Sequence, residues 1–197
     1  MKKLSKKWKI FIIATVVLLG GLYGVYKVNN RNAFEEMYNS CYKMVPMTAV
    51  YNMPQIEPIP RDNSGAEAIR LYYKNENDNN KIEISLGNYE DIHSISLFYY
   101  VYLSEGVYLD LIYVYDMNTN KLENSVAFHG NNVPYTKDKE KQTKELLEKY
   151  NISKEYLQEK SDKLLDTVLT DWKNYSGSSY SKDNMGRLTI EKDEFLS

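Results

Sequence analysis

Between residues 66 and 129, apolar and polar side chains alternate in five consecutive runs, and this period constrains the fold more than any other feature of the chain. Successive side chains on a strand point to opposite faces, so sustained alternation marks a half-buried strand. The runs fall at roughly 66–74, 81–87, 93–103, 107–116 and 121–129. Turn-forming residues join them at Asn75–Asn80, Gly87–Asp91, Ser104-Glu105-Gly106 and Met117–Asn120. A parallel crossover needs a dozen residues or more, so joins this short imply antiparallel neighbours. The spacing predicts an antiparallel β-meander of about five strands.

Sorting the runs by parity separates two faces. One collects Ile69, Leu71, Tyr73, Ile82, Ile84, Leu86, Ile95, Leu97, Tyr99, Val101, Leu109, Leu111, Tyr113, Leu122, Val126 and Phe128, and is the expected core face. The other collects Arg70, Tyr72, Lys81, Glu83, Ser85, Ser96, Phe98, Tyr100, Tyr102, Tyr108, Asp110, Ile112, Glu123 and Ser125. A merely solvated face is normally Thr, Lys and Glu, whereas this one mixes rings with Ser and acids. Tyrosine offers contact area and a polar tip at little rotamer cost, which suits a partner-binding surface. Aromatics also favour strands intrinsically and stack across them, so internal cross-strand packing is the competing reading. On the first reading, Tyr72, Phe98, Tyr100, Tyr102, Tyr108 and Asp110 are the candidate partner-binding residues.

Helical periodicity frames the sheet. Apolar residues at 34, 37, 38, 41, 42 and 45 predict a one-faced helix over 31–45, capped by Asn30 or Asn32. Pro54, Pro58 and Pro60 make 53–60 an extended connector. Two helices follow the strands, over 137–150 and 154–172, the second starting after the N-cap Ser153. Leu157, Leu164, Leu165, Val168, Leu169 and Trp172 form its apolar stripe. Asn174–Ser181 reads as a loop, and Leu188–Ile190 allows a short last strand. The fold class is therefore α+β, with one sheet face packed by helices and the other open.

At the N-terminus, Ile10–Tyr26 is a run of 17 uncharged, mostly apolar residues preceded by five lysines. It is at the short end for a membrane-spanning helix, with Trp8, Tyr23 and Tyr26 at its ends as interface residues. The lysines then place the N-terminus in the cytoplasm. A cleaved signal peptide is the alternative, although no small-residue cleavage site follows the run. The expectation is a single-pass cell-membrane protein: residues 1–27 form the tail and transmembrane signal-anchor, and 28–197 an extracytoplasmic domain.

Charge and chemistry narrow the function. Residues 1–27 hold six lysines and no acid, leaving 25 − 6 = 19 basic and 27 acidic residues in 28–197, a net charge of −8. An acidic domain repels phosphates, which argues against a nucleic-acid partner. The lone Cys41 can form no internal disulfide and sits among apolar neighbours at helical spacing, as a small buried residue does. His93 and His129 lack metal-ligand spacing to each other or to Cys41. Asp116-Met117-Asn118-Thr119-Asn120 begins like a calcium loop, but Lys121 replaces the glycine and Ala127 the bidentate acid, so it reads as a hairpin turn. No metal, cofactor or catalytic constellation is expected, and the chain is read as a non-enzyme. Two binding functions stay open: an inhibitor of another protein, or an extracytoplasmic ligand-binding or sensory module for a peptide or cell-wall fragment.

A family resemblance favours the first. Asn32-Ala33-Phe34-Glu35-Glu36-Met37-Tyr38, the Tyr113-Val114-Tyr115-Asp116 strand with its turn ending Lys121-Leu122, Asp162-Lys163-Leu164-Leu165, Asp171-Trp172 and Tyr180-Ser181-Lys182-Asp183-Asn184-Met185-Gly186 together resemble the TipC family of immunity proteins. The likeness runs from the N-terminal segment to about Arg187, through loose patches rather than an invariant signature. It implies protection against a cognate LXG-type toxin of the type VII secretion pathway, which acts outside the cytoplasm in competition between bacteria. It also implies stoichiometric occlusion through the concave sheet face, the face that parity sorting reaches independently. Toxin contacts differ between pairs, so no individual contact residue follows from the likeness.

Overall fold

The computed structural model describes residues 6–29, 32–42, 49–57, 68–74, 79–89, 92–183 and 189–192. Alternation produces the strands where the period predicts them: β1 Ala68–Tyr72, β2 Lys81–Tyr89, β3 Ile92–Ser104, β4 Val107–Asp116 and β5 Lys121–Gly130. They form an antiparallel meander in sequence order. Residues 188–190 were open to a last strand; β6 Thr189–Lys192 takes that place and pairs with β5 in parallel. The β3–β4 turn puts Glu105 and Gly106 at φ 50° and 74°, the mirror-image turn whose twist matches the strands it joins. In the β4–β5 turn, Asp116 Oδ1 accepts from the Asn118 backbone N–H at 2.7 Å and Asp116 Oδ2 from the Thr119 hydroxyl at 3.0 Å. These bonds are those of a hairpin turn.

The core lies on the face that parity assigns to it. Leu71, Ile84, Leu86, Ile95, Leu97, Leu109, Leu111 and Leu122 are buried, with Tyr99, Val101, Tyr113, Val126 and Phe128 beside them. Ile69, Ile82 and Tyr73, near the β1 edge, are only partly covered. The helices that cover this face are α2 Ala33–Tyr42, α3 Lys139–Lys149 and α4 Lys154–Ser176. Asn32 caps α2, its Oδ1 accepting from the Glu35 backbone N–H at 2.9 Å; Asn30 lies outside the described residues. Asp138 caps α3, accepting from the Lys141 N–H, and the Thr136 hydroxyl accepts from the Asp138 N–H. Ser153 caps α4 as its position predicts, and the helix runs on to Ser176 until Gly177 at φ 74° ends it. Leu157, Leu164, Leu165, Val168, Leu169 and Trp172 are all buried, and the Trp172 indole donates to Glu36 Oε2 at 3.2 Å, tying α4 to α2. Ahead of β1, Val50–Asn52 is a 3₁₀ turn and Ile56 bridges to Tyr73; Pro58 and Pro60 of the expected connector lie outside the described residues.

The N-terminal expectation is overturned. The chain divides into two compact units, 1–31 and 32–197. Within the first, α1, Lys6–Asn29, is helical. Among the described residues, however, no helix is long and apolar enough to cross a membrane. The physical reason is length. The 17 uncharged residues from Ile10 to Tyr26 rise about 26 Å at 1.5 Å each, short of a hydrocarbon core about 30 Å thick. The transmembrane helix of the expected fold class is therefore withdrawn. With it go the single-pass cell-membrane location, the cytoplasmic N-terminus and the extracytoplasmic placement deduced from it.

Candidate protein-binding face

The sheet face opposite the helices is organised by register. Lys81 pairs with Tyr100, Tyr100 with Asp110 and Asp110 with Ala127 along one row, while Tyr102, Tyr108 and His129 form the next. Cross-strand neighbours on one face lie about 5 Å apart at Cβ, within reach for rings. Tyr108 stacks on the His129 imidazole at 5.0 Å and 7°, and Tyr100 meets the same imidazole edge-on at 5.2 Å. Phe98 stacks along the strand with Tyr100 at 5.8 Å, and Tyr102 packs edge-to-face on Tyr108 at 5.4 Å. Tyr72 lies under the Arg70 guanidinium, 5.7 Å from ring centre.

All five candidate rings are half-buried. Four of the rings, Phe98, Tyr100, Tyr102 and Tyr108, pack on one another or on His129, and all five still present surface. Cross-strand packing fixes their rotamers in advance, which lowers the ordering cost of contact with a partner. Asp110 differs from the other candidates. It lies on the same face but is only 8% exposed, covered by its neighbours. Its Oδ1 sits 2.6 Å from His129 Nδ1. Burial raises the Asp110 carboxyl to about 6, and His129 offsets part of that rise.

A second buried acid completes the face. Glu83 is 1% exposed. Arg70 grips it with two bonds, Nε–Oε1 at 2.6 Å and Nη2–Oε2 at 2.8 Å, and the Tyr100 hydroxyl donates to Oε2 at 3.0 Å. These bonds hold Arg70 charged, and burial beside Glu83 keeps the Tyr100 phenol protonated. Arg70, Lys81, Glu83 and His129 join Tyr72, Tyr100, Tyr108 and Asp110 around a pocket of about 440 Å³ that Phe98 and Tyr102 do not line. Arg70, Lys81 and Glu83 were sorted to this face from sequence but not singled out. His129 was missed because the strand run was read as ending there. Carrying the parity of Glu123 and Ser125 through Ala127 reaches it.

The remaining reactive groups are structural. Tyr38 on α2 shares a 3.2 Å hydrogen bond with His93 Nδ1. Cys41 is partly buried, and burial raises its thiol, which disfavours the nucleophilic thiolate. Among the described residues, no group of His, Cys, Asp and Glu is placed to hold a metal ion.

Comparison with known proteins follows the same lines. A family model described as TipC immunity protein-like matches residues 5–193. The solved structure of TipC2 from Streptococcus intermedius B196 superposes with a TM-score of 0.69 at 23% identity, covering 83% of this chain and 96% of that one. At that identity the likeness shows the fold. No curated protein matches the sequence.

Proposed function

The chain belongs to the TipC immunity protein-like family, which gives it a toxin-immunity role, and from that premise we propose that it binds and occludes a cognate LXG-type toxin through the tyrosine-rich sheet face, without catalysis. The observation that supports this most is the set of partly exposed rings Phe98, Tyr100, Tyr102 and Tyr108, packed on one another or on His129 across the central strands β3 to β5, with Tyr72 beside Arg70 on the edge strand β1. Half-buried aromatics that keep one orientation are the anchors from which hot spots are built. A rigid sheet also loses little conformational entropy on association. Occlusion needs one copy of the inhibitor for each toxin, so no turnover chemistry is required.

The test is direct. The protein is produced together with the LXG-type toxin encoded beside its gene. Co-purification as a stoichiometric complex and survival of toxin-sensitive cells are the expected results. Tyr100→Ala is expected to weaken the complex by about 2 kcal/mol or more, roughly 30-fold, with little change in unfolding midpoint, because Glu83 keeps both Arg70 bonds. Full protection by a variant carrying Tyr100→Ala and Tyr108→Ala together, at unchanged affinity, rules this face out.

A further inference from the structure

The charged groups of the pocket are sorted by depth. Glu83 and Asp110, its two acids, are buried, and each is already satisfied within the chain: Glu83 by Arg70 and Tyr100, Asp110 by His129. The basic partners that satisfy them remain open. The Arg70 side chain is 57% exposed and that of His129 48%, and Lys81 is exposed as well. Through Arg70 and Lys81 the pocket therefore presents cations to solvent on a domain whose net charge is −8.

The buried acids act as fixed mounts. A guanidinium has five N–H donors in a rigid plane. Glu83 takes bonds from Nε and Nη2, which fixes the plane and leaves other donors free for a second acceptor. His129 is held by Asp110 at Nδ1 and stacked on Tyr108, so its Nε2 edge has a set direction. Tyr72, Tyr100 and Tyr108 line the site with rings beside these groups, and a bond made there to a charged acceptor is charge-assisted. A guanidinium already oriented by one carboxylate is matched in geometry to a second acceptor of the same kind.

We propose that this pocket is the receptor for an Asp or Glu side chain on the partner protein, with Arg70 and Lys81 pairing the incoming carboxylate between the walls of Tyr72, Tyr100 and Tyr108. The proposal rests on the toxin-binding reading of this face and adds the chemistry of its central contact. The domain as a whole is acidic, yet this contact takes an acid. A lysine or arginine from the partner finds no open carboxylate here, since both acids are spoken for within the chain.

Two experiments separate this proposal from the reading beneath it. In the first, N-acetyl-glutamate N-methylamide is titrated into the isotope-labelled full-length protein at constant ionic strength, with the glutamine and lysine analogues alongside. Saturating shifts at His129, Tyr100 and Tyr108 with the glutamate probe alone are expected. They are expected to vanish in Lys81→Gln combined with Arg70→Gln and Glu83→Gln; removing Glu83 together with Arg70 avoids leaving a buried acid unpaired. No saturating shift with glutamate, or an equal response to lysine, overturns the proposal. In the second, the neighbouring toxin is bound to wild type and to Lys81→Glu, which is exposed and tests charge without disturbing the core. Weakening by about tenfold is expected, and unchanged affinity overturns the carboxylate contact while leaving the toxin-binding face standing. If the toxin fails to bind wild type, the function falls and the titration still decides the pocket.

Discussion

Tyr115 has one hydroxyl proton and three polar neighbours. It is fully buried, stacked on Phe34, and its oxygen accepts from Asn32 Nδ2 at 2.8 Å with Glu35 Oε1 and Asn120 Oδ1 each at 3.0 Å. Asn32 caps α2 and Asn120 closes the β4–β5 turn, so one phenol couples a helix start to a hairpin. Tyr115→Phe keeps the packing and removes the oxygen, leaving the Asn32 amide short of an acceptor. A loss of about 1–3 kcal/mol in urea unfolding is expected, with the sheet intact by circular dichroism. Asp110 supports a second prediction at this scale. Its folded value, about 6, lies above the ordinary 3.8 because burial disfavours the charge. The folded state therefore holds the proton more tightly than the unfolded chain does. The associated stability is fully present below about pH 4 and is lost as pH rises through about 6. Asp110→Asn cannot titrate, so the stability difference between wild type and variant should change across that window. Urea midpoints measured for both proteins between about pH 4 and 7 check it, and a constant difference contradicts the assignment.

At the scale of elements, parity made the strands legible, because burial on one face leaves no freedom for a one-residue slip. The α4 stripe and its Ser153 cap were legible for the same kind of reason: a local rule with one answer. What parity does not supply is distance across strands. Arg70 and Glu83 share a face in the sequence reading, but Arg70 sits opposite Ser85, and the ion pair forms on the diagonal that the β1–β2 register creates. Likewise the burial of Asp110 comes from rings on neighbouring strands, which period two cannot count. The parallel β6 was beyond local rules as well, since the chain returns to β5 only after two helices. The end of β5 gives a prediction of its own. Gly130 has φ 135°, and a Cβ there would meet the Gly106 backbone carbonyl oxygen at 1.9 Å. Neither backbone can yield without opening the Val107–Gly130 pair at the hairpin's base. Gly130→Ala is expected to cost about 2 kcal/mol or more, read from chemical denaturation, whereas an alanine at a tolerant loop position changes little.

For the whole molecule, composition misled where geometry decided. The apolar segment after the N-terminal lysines suggested a bilayer span from residue type, and its length defeats that reading. Every buried apolar residue among those described lies at Ala33 or beyond, while Ile13, Val16, Val17, Leu18, Leu19 and Leu22 of α1 are exposed. A segment whose described side chains are all exposed contributes little to the cooperative unfolding of a core. Removal of residues 1–31 should therefore leave the urea midpoint and slope of the remaining domain unchanged within error, because the slope follows the surface exposed on unfolding. The cut site matters to one residue. Asn32 is 1% exposed, caps α2 and donates to Tyr115, so deletion through Asn32 removes a cap and one of the three polar partners of a buried phenol together. That longer deletion should lower stability by about 1–3 kcal/mol relative to the shorter one. Two truncations differing by a single residue thus locate the boundary of the folded unit. Equal midpoints for the pair contradict the role of Asn32, and a large loss on removing residues 1–31 alone contradicts the independence of the domain.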